Sequence, residues 1–259
     1  MNHGSLFSGI GGFDLAAEWM GWNNVFNCEI EPFPRNILKY YWPNAISYED
    51  VKTTDFTIWR GKINVLTGGF PCQDASNALQ TGGGQQGING DRTGLLWQML
   101  RAIKESMPNY IVAENVANIL KINKGRDFGT ILTELAGMGY NAEWRICFAS
   151  EVGAPHKRAR LYLVAYSNSI RIQGNKSFFS LLRKENKPKR RKIEGTNVEI
   201  NTDCDWLCKP PVYSLDDGFS AELGIVTESI KAYGNAVVPQ IPFQIFKQIE
   251  IINNETTRN

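Results

Sequence analysis

The feature that most constrains the fold is an alternation of short apolar runs with helical segments over the first 166 residues. The strand-like runs are "SLF", "NVFNCEI", "INVLTGGF", "YIVAENV", "NAEWRICFAS" and "ARLYLVAY". Between them lie segments with helical spacing, such as "FDLAAEWMGW", "RNILKYYW", "GLLWQMLRAIKESM" and "FGTILTELAGMG". Repeated β-α-β units of this kind predict an α/β fold with a doubly wound, mostly parallel sheet covered by helices on both faces.

Length and composition are those of a globular protein with one sizeable core. The chain has 259 residues, of which 42% are hydrophobic and 21% charged. No apolar run approaches the roughly 20 residues of a membrane span, and the N-terminus lacks the pattern of a signal peptide. We therefore expect a cytoplasmic protein without membrane contact.

The five cysteines are odd in number and scattered, which argues against a disulfide framework. Cys204 and Cys208 have a four-residue spacing that could suit zinc. No second pair lies near them, however, and both histidines, His3 and His156, are distant in sequence. We therefore expect no metal site.

The regular alternation breaks between residues 167 and 223, where the chain is polar, proline-containing and basic. Nine basic residues and one acid occur from Arg171 to Lys192, so this segment carries +8 against −6 for the remainder. Such a block is typical of a polyanion binder, although a solvated loop has the same composition. We predict three parts: a catalytic domain (1–166), a short inserted region (167–223), and a C-terminal segment (224–259) whose apolar helix returns to the first domain.

Four chemically notable residues fall at or just beyond the ends of predicted strands: Gly9, Glu29, Cys72 and Glu114. In open α/β sheets, ligands bind beyond the carboxyl ends of the strands. The sequence therefore predicts that these four residues converge on one rim of the sheet.

The "FSGIGG" turn lies between the first strand and the first helix, where glycines let a ligand approach backbone amides. It lacks the G-x-G-x-x-G spacing of dinucleotide-binding proteins. Glu29, seventeen residues after Gly12, ends the second strand, where a carboxylate can accept hydrogen bonds from ribose hydroxyls. Together these features favour an adenosine-containing cofactor, whereas a glycine turn alone would equally fit a purely structural role.

Cys72 ends the strand in "INVLTGGFPC" and opens a connection of roughly twenty residues before the next helix. A thiolate is a nucleophile, and long loops inside compact domains are typical of functional lids. The alternative, a buried structural cysteine, explains neither the preceding proline nor the glycine-rich loop.

Glu114 ends another apolar strand, where burial would raise the carboxyl pKa and make it a proton donor near neutral pH. A capping or salt-bridged acid is the alternative. "HKRAR" places Arg158 and Arg160 two residues apart, on one face of the following strand. Two guanidinium groups there would suit an anion, unless each is simply solvated.

With these motifs in this order along the chain, the sequence outside residues 167–223 resembles the C5-cytosine-specific DNA methyltransferase family. "FSGIGGF" is similar to the cofactor motif, "GGFPCQ" to the nucleophile motif, "ENV" to the acid motif, "HKRAR" to the arginine motif and "YGNAVVPQI" to the closing motif. The resemblance implies a Rossmann-like methyltransferase fold and S-adenosylmethionine as cofactor, with S-adenosylhomocysteine as product. His156 stands where the family usually has glutamine.

The resemblance also implies site residues. The catalytic set is Cys72 as nucleophile on cytosine C6, Glu114 on N3 and the 4-amino group, Arg160 orienting Glu114, and Arg158 supporting that network. The implied cofactor residues are Phe7, Gly9, Ile10, Gly11, Gly12, Glu29, Ile30, Asp50, Val51, Pro71, Leu95, Asn235, Ala236 and Val237.

The implied substrate is double-stranded DNA, with the target cytosine flipped out of the helix. Residues 167–223 lie where the family has its target-recognition region. The residues expected to contact DNA are Gln73, Ser76, Arg92, Arg171, Lys176, Arg183, Lys184, Lys189, Arg190 and Arg191. A restriction endonuclease would act on the same site without binding this chain, which we expect to be a monomer. Two alternatives remain open at this point: a tRNA cytosine methyltransferase with the same motifs and an inactive DNA-binding regulator.

Overall fold

The computed structural model describes residues 1–69, 94–154, 156–172, 174, 176–182, 190–192, 199–201 and 223–256. Seven strands form the central sheet: β1 (Asn2–Leu6), β2 (Asn23–Cys28), β3 (Ile46–Tyr48), β4 (Val65–Gly68), β5 (Tyr110–Val116), β6 (Tyr140–Phe148) and β7 (Ala159–Ser167). The helices are α1 (Gly12–Trp19), α2 (Pro32–Tyr41), α3 (Gly94–Ser106), α4 (Arg126–Gly137), α5 (Leu223–Asn235) and α6 (Gln240–Thr256). A separate two-stranded sheet pairs β8 (Arg190–Lys192) with β9 (Glu199–Asn201).

The strand order is β3-β2-β1-β4-β5-β7-β6. The first five strands are parallel, and β7 pairs antiparallel with both β5 and β6. The chain runs outward from β1 to β3 and then resumes at β4 on the other side of β1. This reversal places the topological switch point, where such sheets bind ligands, between β1 and β4. The predicted doubly wound α/β architecture is confirmed.

Two apolar layers cover the sheet, one on each face. One layer contains residues of α3 and α4, including Leu100, Ile103 and Ile131. The other contains α1 and α6, where Phe246 stacks on Trp22 at 4.7 Å between ring centroids. The sequence predicted an apolar C-terminal helix that returns to the first domain, and α6 shares one buried cluster with α1. It missed α5 and the three-residue strand β3, because neither has a distinct local pattern.

The packing of the catalytic domain continues past the domain boundary predicted at residue 166. Ile170, Phe178 and Leu182 are buried in the same apolar layer as α6. The backbone N–H of Phe178 donates to Glu143 of β6 at 3.1 Å, which attaches this segment to the edge strand. These described residues therefore pack as part of the same unit as the sheet. The three-part division itself stays a prediction, since most of 183–222 lies outside the described residues.

A fully buried carboxyl group, that of Asp14, lies in the first turn of α1, just after the glycine turn. The Ser5 hydroxyl donates to its Oδ1 at 2.8 Å, whereas its Oδ2 has no hydrogen-bond partner among the described residues. Burial raises the pKa of Asp14 from 3.8 to about 7, so the folded protein keeps this group protonated in mildly acidic solution.

Asp14→Asn is expected to stabilise the protein at pH 8 but not at pH 4. The unfolded chain ionises Asp14 near pH 3.8, whereas the folded chain does so near pH 7, and stability therefore falls as pH rises between these values. This difference corresponds to at most about 4 kcal/mol, and asparagine removes it. Thermal unfolding of both proteins at the two pH values tests the prediction; an equal difference at both would contradict it.

No helix in the described part of the chain combines the length and apolarity that a membrane span needs. Within the same residues, no cluster of three histidine, cysteine, aspartate or glutamate side chains could hold a metal ion. Cys204 and Cys208 lie outside the described residues.

Candidate active site

The turn after β1 requires glycine at two positions for different steric reasons. Gly11 has φ of 85°, and a Cβ there would overlap the ring of Trp42. At Gly12 a Cβ would lie 2.5 Å from the carbonyl oxygen of Val237. The turn is closed by a hydrogen bond from the N–H of Gly11 to the carbonyl of Ser8 at 2.9 Å. These two glycines thus let Trp42 and Val237 pack directly on the turn, whereas a Cβ at Gly9 would meet nothing within 4 Å, which leaves the backbone there open to a ligand.

Glu29 lies beside this turn and is 7% exposed. Its Oε2 accepts a hydrogen bond from the N–H of Gly9 at 2.7 Å, and its Oε1 accepts one from the N–H of Glu31 at 2.9 Å. Each carboxylate oxygen keeps a further lone pair, so hydroxyl groups of a ligand could still donate to Glu29. Ile30 is 59% exposed and adds an apolar surface next to this acceptor.

A second turn at the same edge of the sheet follows β3. The N–H of Lys52 donates to Oδ1 of Asp50 at 2.9 Å, and Val51 is buried. Arg101 of α3 stabilises this turn by donating hydrogen bonds to the carbonyl groups of Val51 and Thr54. No local pattern indicated this role for Arg101, because its partners lie about fifty residues earlier in the chain.

Phe7 and Leu95, the remaining predicted cofactor residues near this edge, are partly buried against the apolar layer formed by α3 and α4. Phe7 has a positive φ of 51°, which turns the chain at the end of β1. Ile10 is also partly buried.

Residues 235–237, the last residue of α5 and the two that follow it, approach the glycine turn through Val237. Val237 contacts Gly12, as described above, and its Cγ2 would be 3.9 Å from a Cβ at Gly69. The same Cβ at Gly69 would be 3.5 Å from Oε2 of Glu114. Gly12, Val237, Gly69 and Glu114 thus form one continuous set of neighbours at the switch point between β1 and β4.

Glu114, on β5, is paired with Arg160 on the adjacent strand β7. The Nε of Arg160 is 2.9 Å from Oε1 of Glu114, and the Glu114 side chain is 12% exposed. It borders a small apolar cavity lined by residues that include Leu161 and Ile119. Burial raises the pKa of the Glu114 carboxyl, and the positive charges of Arg160 and Arg158 partly oppose this.

Arg158 and Arg160 do not share a strand face, and that expectation is wrong. Arg158 precedes the first residue of β7 and has a φ of 24°, which interrupts the extended alternation. Its guanidinium group donates to the carbonyls of Gly234 and Ala236, both at 2.7 Å. Of the two arginines, Arg160 is the one that forms the ion pair with Glu114.

Several predicted residues lie outside the part of the chain that the structure describes, and their roles stay predictions. They are Pro71, Cys72, Gln73, Ser76, Arg92, Arg183, Lys184 and Lys189. Gly69 is the last described residue before Cys72 and already adjoins Glu114. The described cysteines, Cys28 and Cys147, are buried, and burial raises the pKa of each to about 12, which makes both poor nucleophiles.

Of the predicted DNA contacts that the structure describes, Arg171 is exposed, whereas Lys176 forms an ion pair with Glu255 of α6. Arg190 and Arg191 lie on β8. His156, the first residue of the arginine motif, is exposed.

Comparison with known proteins agrees with this geometry. The family model described as C-5 cytosine-specific DNA methylase matches residues 1–217. Type II methyltransferase M.Sau3AI from Staphylococcus aureus is 32% identical over 185 residues, covering 64% of this chain and 43% of that protein. Type II methyltransferase M.Eco47II from Escherichia coli is 36% identical over 167 residues, covering 64% and 39%. The matches thus span less than half the length of these two relatives.

Solved structures show the same fold. A DNA modification methyltransferase encoded within an E. coli prophage is 25% identical, with a TM-score of 0.58, and the alignment covers 71% of this chain and 51% of that one. The S. pombe Dnmt2 methyltransferase is 21% identical with a TM-score of 0.56, covering 72% and 57%. With the family model matching most of its length, this chain belongs to the C-5 cytosine-specific DNA methylase family.

Proposed function

We propose that this protein transfers a methyl group from S-adenosylmethionine to C5 of a cytosine flipped out of a specific double-stranded DNA site. The observation that carries the proposal is the partly buried Glu114–Arg160 ion pair beside Gly69, at the strand end that leads to Cys72. The glycine turn meets this pair through Val237. A partly buried acid and a glycine-rich turn at one switch point suit a reaction between two bound molecules.

The residues at the turn fit the proposed cofactor. Glu29 would accept hydrogen bonds from the ribose, exposed Ile30 and Phe7 would contact the adenine, and Asp50 would lie at the adenine edge. The Gly9–Gly12 backbone and residues 235–237 would enclose the methionine part. When bound, S-adenosylmethionine supplies an electrophilic methyl group attached to a positively charged sulfur.

The chain's own residues would activate the cytosine. The Cys72 thiolate adds to C6, and the electron pair of the C5–C6 double bond becomes available at C5 for the new bond to carbon. Glu114, held by Arg160, hydrogen-bonds N3 and the 4-amino group and so stabilises the charge that develops in the ring. Afterwards the C5 proton passes to a base, the double bond re-forms and the thiolate leaves C6.

Access to the base requires flipping, at a cost of a few kcal/mol. Residues 74–93 would close over the flipped base. The basic region within 167–223 would contact DNA phosphates, with salt-dependent affinity. A restriction endonuclease cutting the same site would be the functional counterpart, as the Type II names of the relatives suggest. We propose that the enzyme acts as a monomer in the cytoplasm.

Methylation of duplex DNA in vitro tests the proposal. Purified protein is incubated with DNA and S-adenosylmethionine, and the product is sequenced after bisulfite treatment. Protected cytosines within one recurring sequence are expected only when the cofactor is present. Parallel reactions with tRNA and labelled methyl donor distinguish the substrates: incorporation into tRNA alone, or into neither substrate, would overturn the proposal.

A further inference from the structure

The two hydrogen bonds of Arg158 reach a part of the chain more than seventy residues away. Its Nη1 donates to the carbonyl of Gly234 and its Nη2 to that of Ala236, both at 2.7 Å. These two carbonyls belong to the last turn of α5 and the residue just beyond it. A planar guanidinium group can bridge two acceptors at fixed spacing, which a lysine cannot do.

The end of α5 is a favourable place for such a cation. The last carbonyls of a helix lack partners within the helix and carry partial negative charge. The last turn of α5 itself contains no basic residue. Arg158 therefore supplies from another element the positive charge and the donors that this helix end lacks.

The backbone at Arg158 agrees with a specific role. Its φ of 24° lies in a region that non-glycine residues rarely adopt. The N–H of Ala149 donates to the carbonyl of Lys157 at 3.0 Å, which fixes the chain immediately before Arg158. An unfavourable conformation persists where the surroundings hold it in place, and here it directs Arg158 away from the strand that carries Arg160.

The bridged segment connects directly to the glycine turn. Val237, the residue after Ala236, is the one whose carbonyl oxygen would be 2.5 Å from a Cβ at Gly12. Its side chain faces Gly69, which adjoins Glu114. Holding Gly234 and Ala236 in place therefore also positions Val237 between the glycine turn and the acid.

We infer that Arg158 is a positioning residue that holds the closing segment, residues 234–237, against the cofactor turn. This inference rests on the proposed function and changes the role that the sequence suggested for Arg158. Removing the Arg158 side chain weakens cofactor binding, while Glu114 keeps its own partner, Arg160. Arg158 thus connects the start of β7, the strand that carries Arg160, to residues 234–237 beside the cofactor turn.

The test compares cofactor binding with DNA binding in Arg158→Ala. The expected result is a Kd for S-adenosylhomocysteine, measured by calorimetry without DNA, that rises at least about 10-fold, which corresponds to about 1.4 kcal/mol. The KM for S-adenosylmethionine rises similarly, while kcat at saturating cofactor stays within about threefold. The Kd for duplex DNA at fixed salt, measured without cofactor, stays unchanged, which a general loss of folding would not allow.

Three further variants sharpen the test. Arg158→Lys keeps the positive charge but cannot donate to two carbonyls at once, so a Kd for S-adenosylhomocysteine between those of the wild type and Arg158→Ala is expected. If Arg158→Ala does not fold, Arg158→Lys is the variant that tests the inference. Gly12→Ala, whose Cβ would displace Val237, should reproduce the Arg158→Ala pattern. Lys231→Ala is the matched control, because the exposed Lys231–Glu31 ion pair also attaches α5 to the catalytic domain but contributes little.

The outcomes separate this inference from the proposed function. If Arg158→Ala or Arg158→Lys binds S-adenosylhomocysteine within twofold of the wild type while kcat falls, Arg158 acts on the base side and the inference is wrong. If Lys231→Ala weakens S-adenosylhomocysteine binding as much as Arg158→Ala does, then any contact between α5 and the catalytic domain supports cofactor binding, and the specific role of Arg158 is refuted. If the wild type neither binds S-adenosylhomocysteine nor methylates DNA, the proposed function falls, and this inference with it.

Discussion

Replacing Cys72 with serine is expected to reduce methyl transfer at least about 10³-fold, because a serine hydroxyl is a far weaker nucleophile than a thiolate near neutral pH. The variant should also fail to form a covalent adduct with duplex DNA that contains 5-fluorocytosine. Fluorine at C5 cannot leave as a proton does, so the wild-type enzyme stays bonded to C6 after methyl transfer. The adduct is measured as a denaturation-resistant shift on a gel in the presence of S-adenosylmethionine.

Cys147→Ala is the matched control for this experiment. Cys147 is buried on β6 and its pKa is raised to about 12, so it should play no part in the adduct. The control is expected to retain adduct formation per folded molecule. An adduct that survives in Cys72→Ser, or that disappears in Cys147→Ala, would show that the nucleophile was misidentified.

Replacing Glu114 with glutamine is expected to lower kcat by about 10²- to 10⁴-fold, the usual contribution of a positioned acid or base. Glutamine has the same shape but cannot donate a carboxyl proton, and it leaves the Arg160 guanidinium without its charged partner. Binding of S-adenosylhomocysteine should persist, because Glu29 and the glycine turn remain intact. Single-turnover kinetics, combined with calorimetry, separates the two effects.

The pH dependence of the wild type provides a second readout for Glu114. Burial raises the pKa of this carboxyl, so the protonated form persists to higher pH than in water. If that form donates to N3, kcat falls as pH rises through the folded pKa, and Glu114→Gln loses this falling limb.

Glu151→Gln is a suitable control for Glu114→Gln, because the Arg145–Glu151 ion pair has the same 2.9 Å separation and a carboxylate that is only 4% exposed. Its kcat per folded molecule should equal that of the wild type. A full kcat in Glu114→Gln, or an equal loss in Glu151→Gln, would remove Glu114 from the mechanism.

Much of the site could be predicted before the structure because the relevant signals are local. Alternating strands and helices follow from periods of two and 3.6 residues, and the glycine turn after β1 follows from adjacent residues. Glu114 and Arg160 were assigned from short motifs, and their ion pair confirms that the two side chains meet. The region around Cys72 is known from sequence alone, and its role stays a prediction.

Other features could not be predicted, because they depend on contacts between distant segments. The packing of the segment up to Leu182 in the same unit as the sheet depends on apolar contacts with α6, although the composition of that segment resembles a loop. The buried carboxyl of Asp14 appears ordinary in a helical sequence. Its raised pKa arises only when the sheet and α1 exclude water from it.

The amino-acid sequence by itself determined the family and the α/β alternation, and it named candidates for the residues that carry chemistry, since each of these signals is encoded within a few consecutive positions. Only the tertiary structure decided the partners of those residues. Arg158 and Arg160 are both arginines of the same short motif. Arg160 nevertheless pairs with Glu114, whereas Arg158 donates to carbonyls at the end of α5. The physical reason is that a single positive φ redirects a side chain, and its hydrogen-bond acceptors come from a helix that folds back from the far end of the chain.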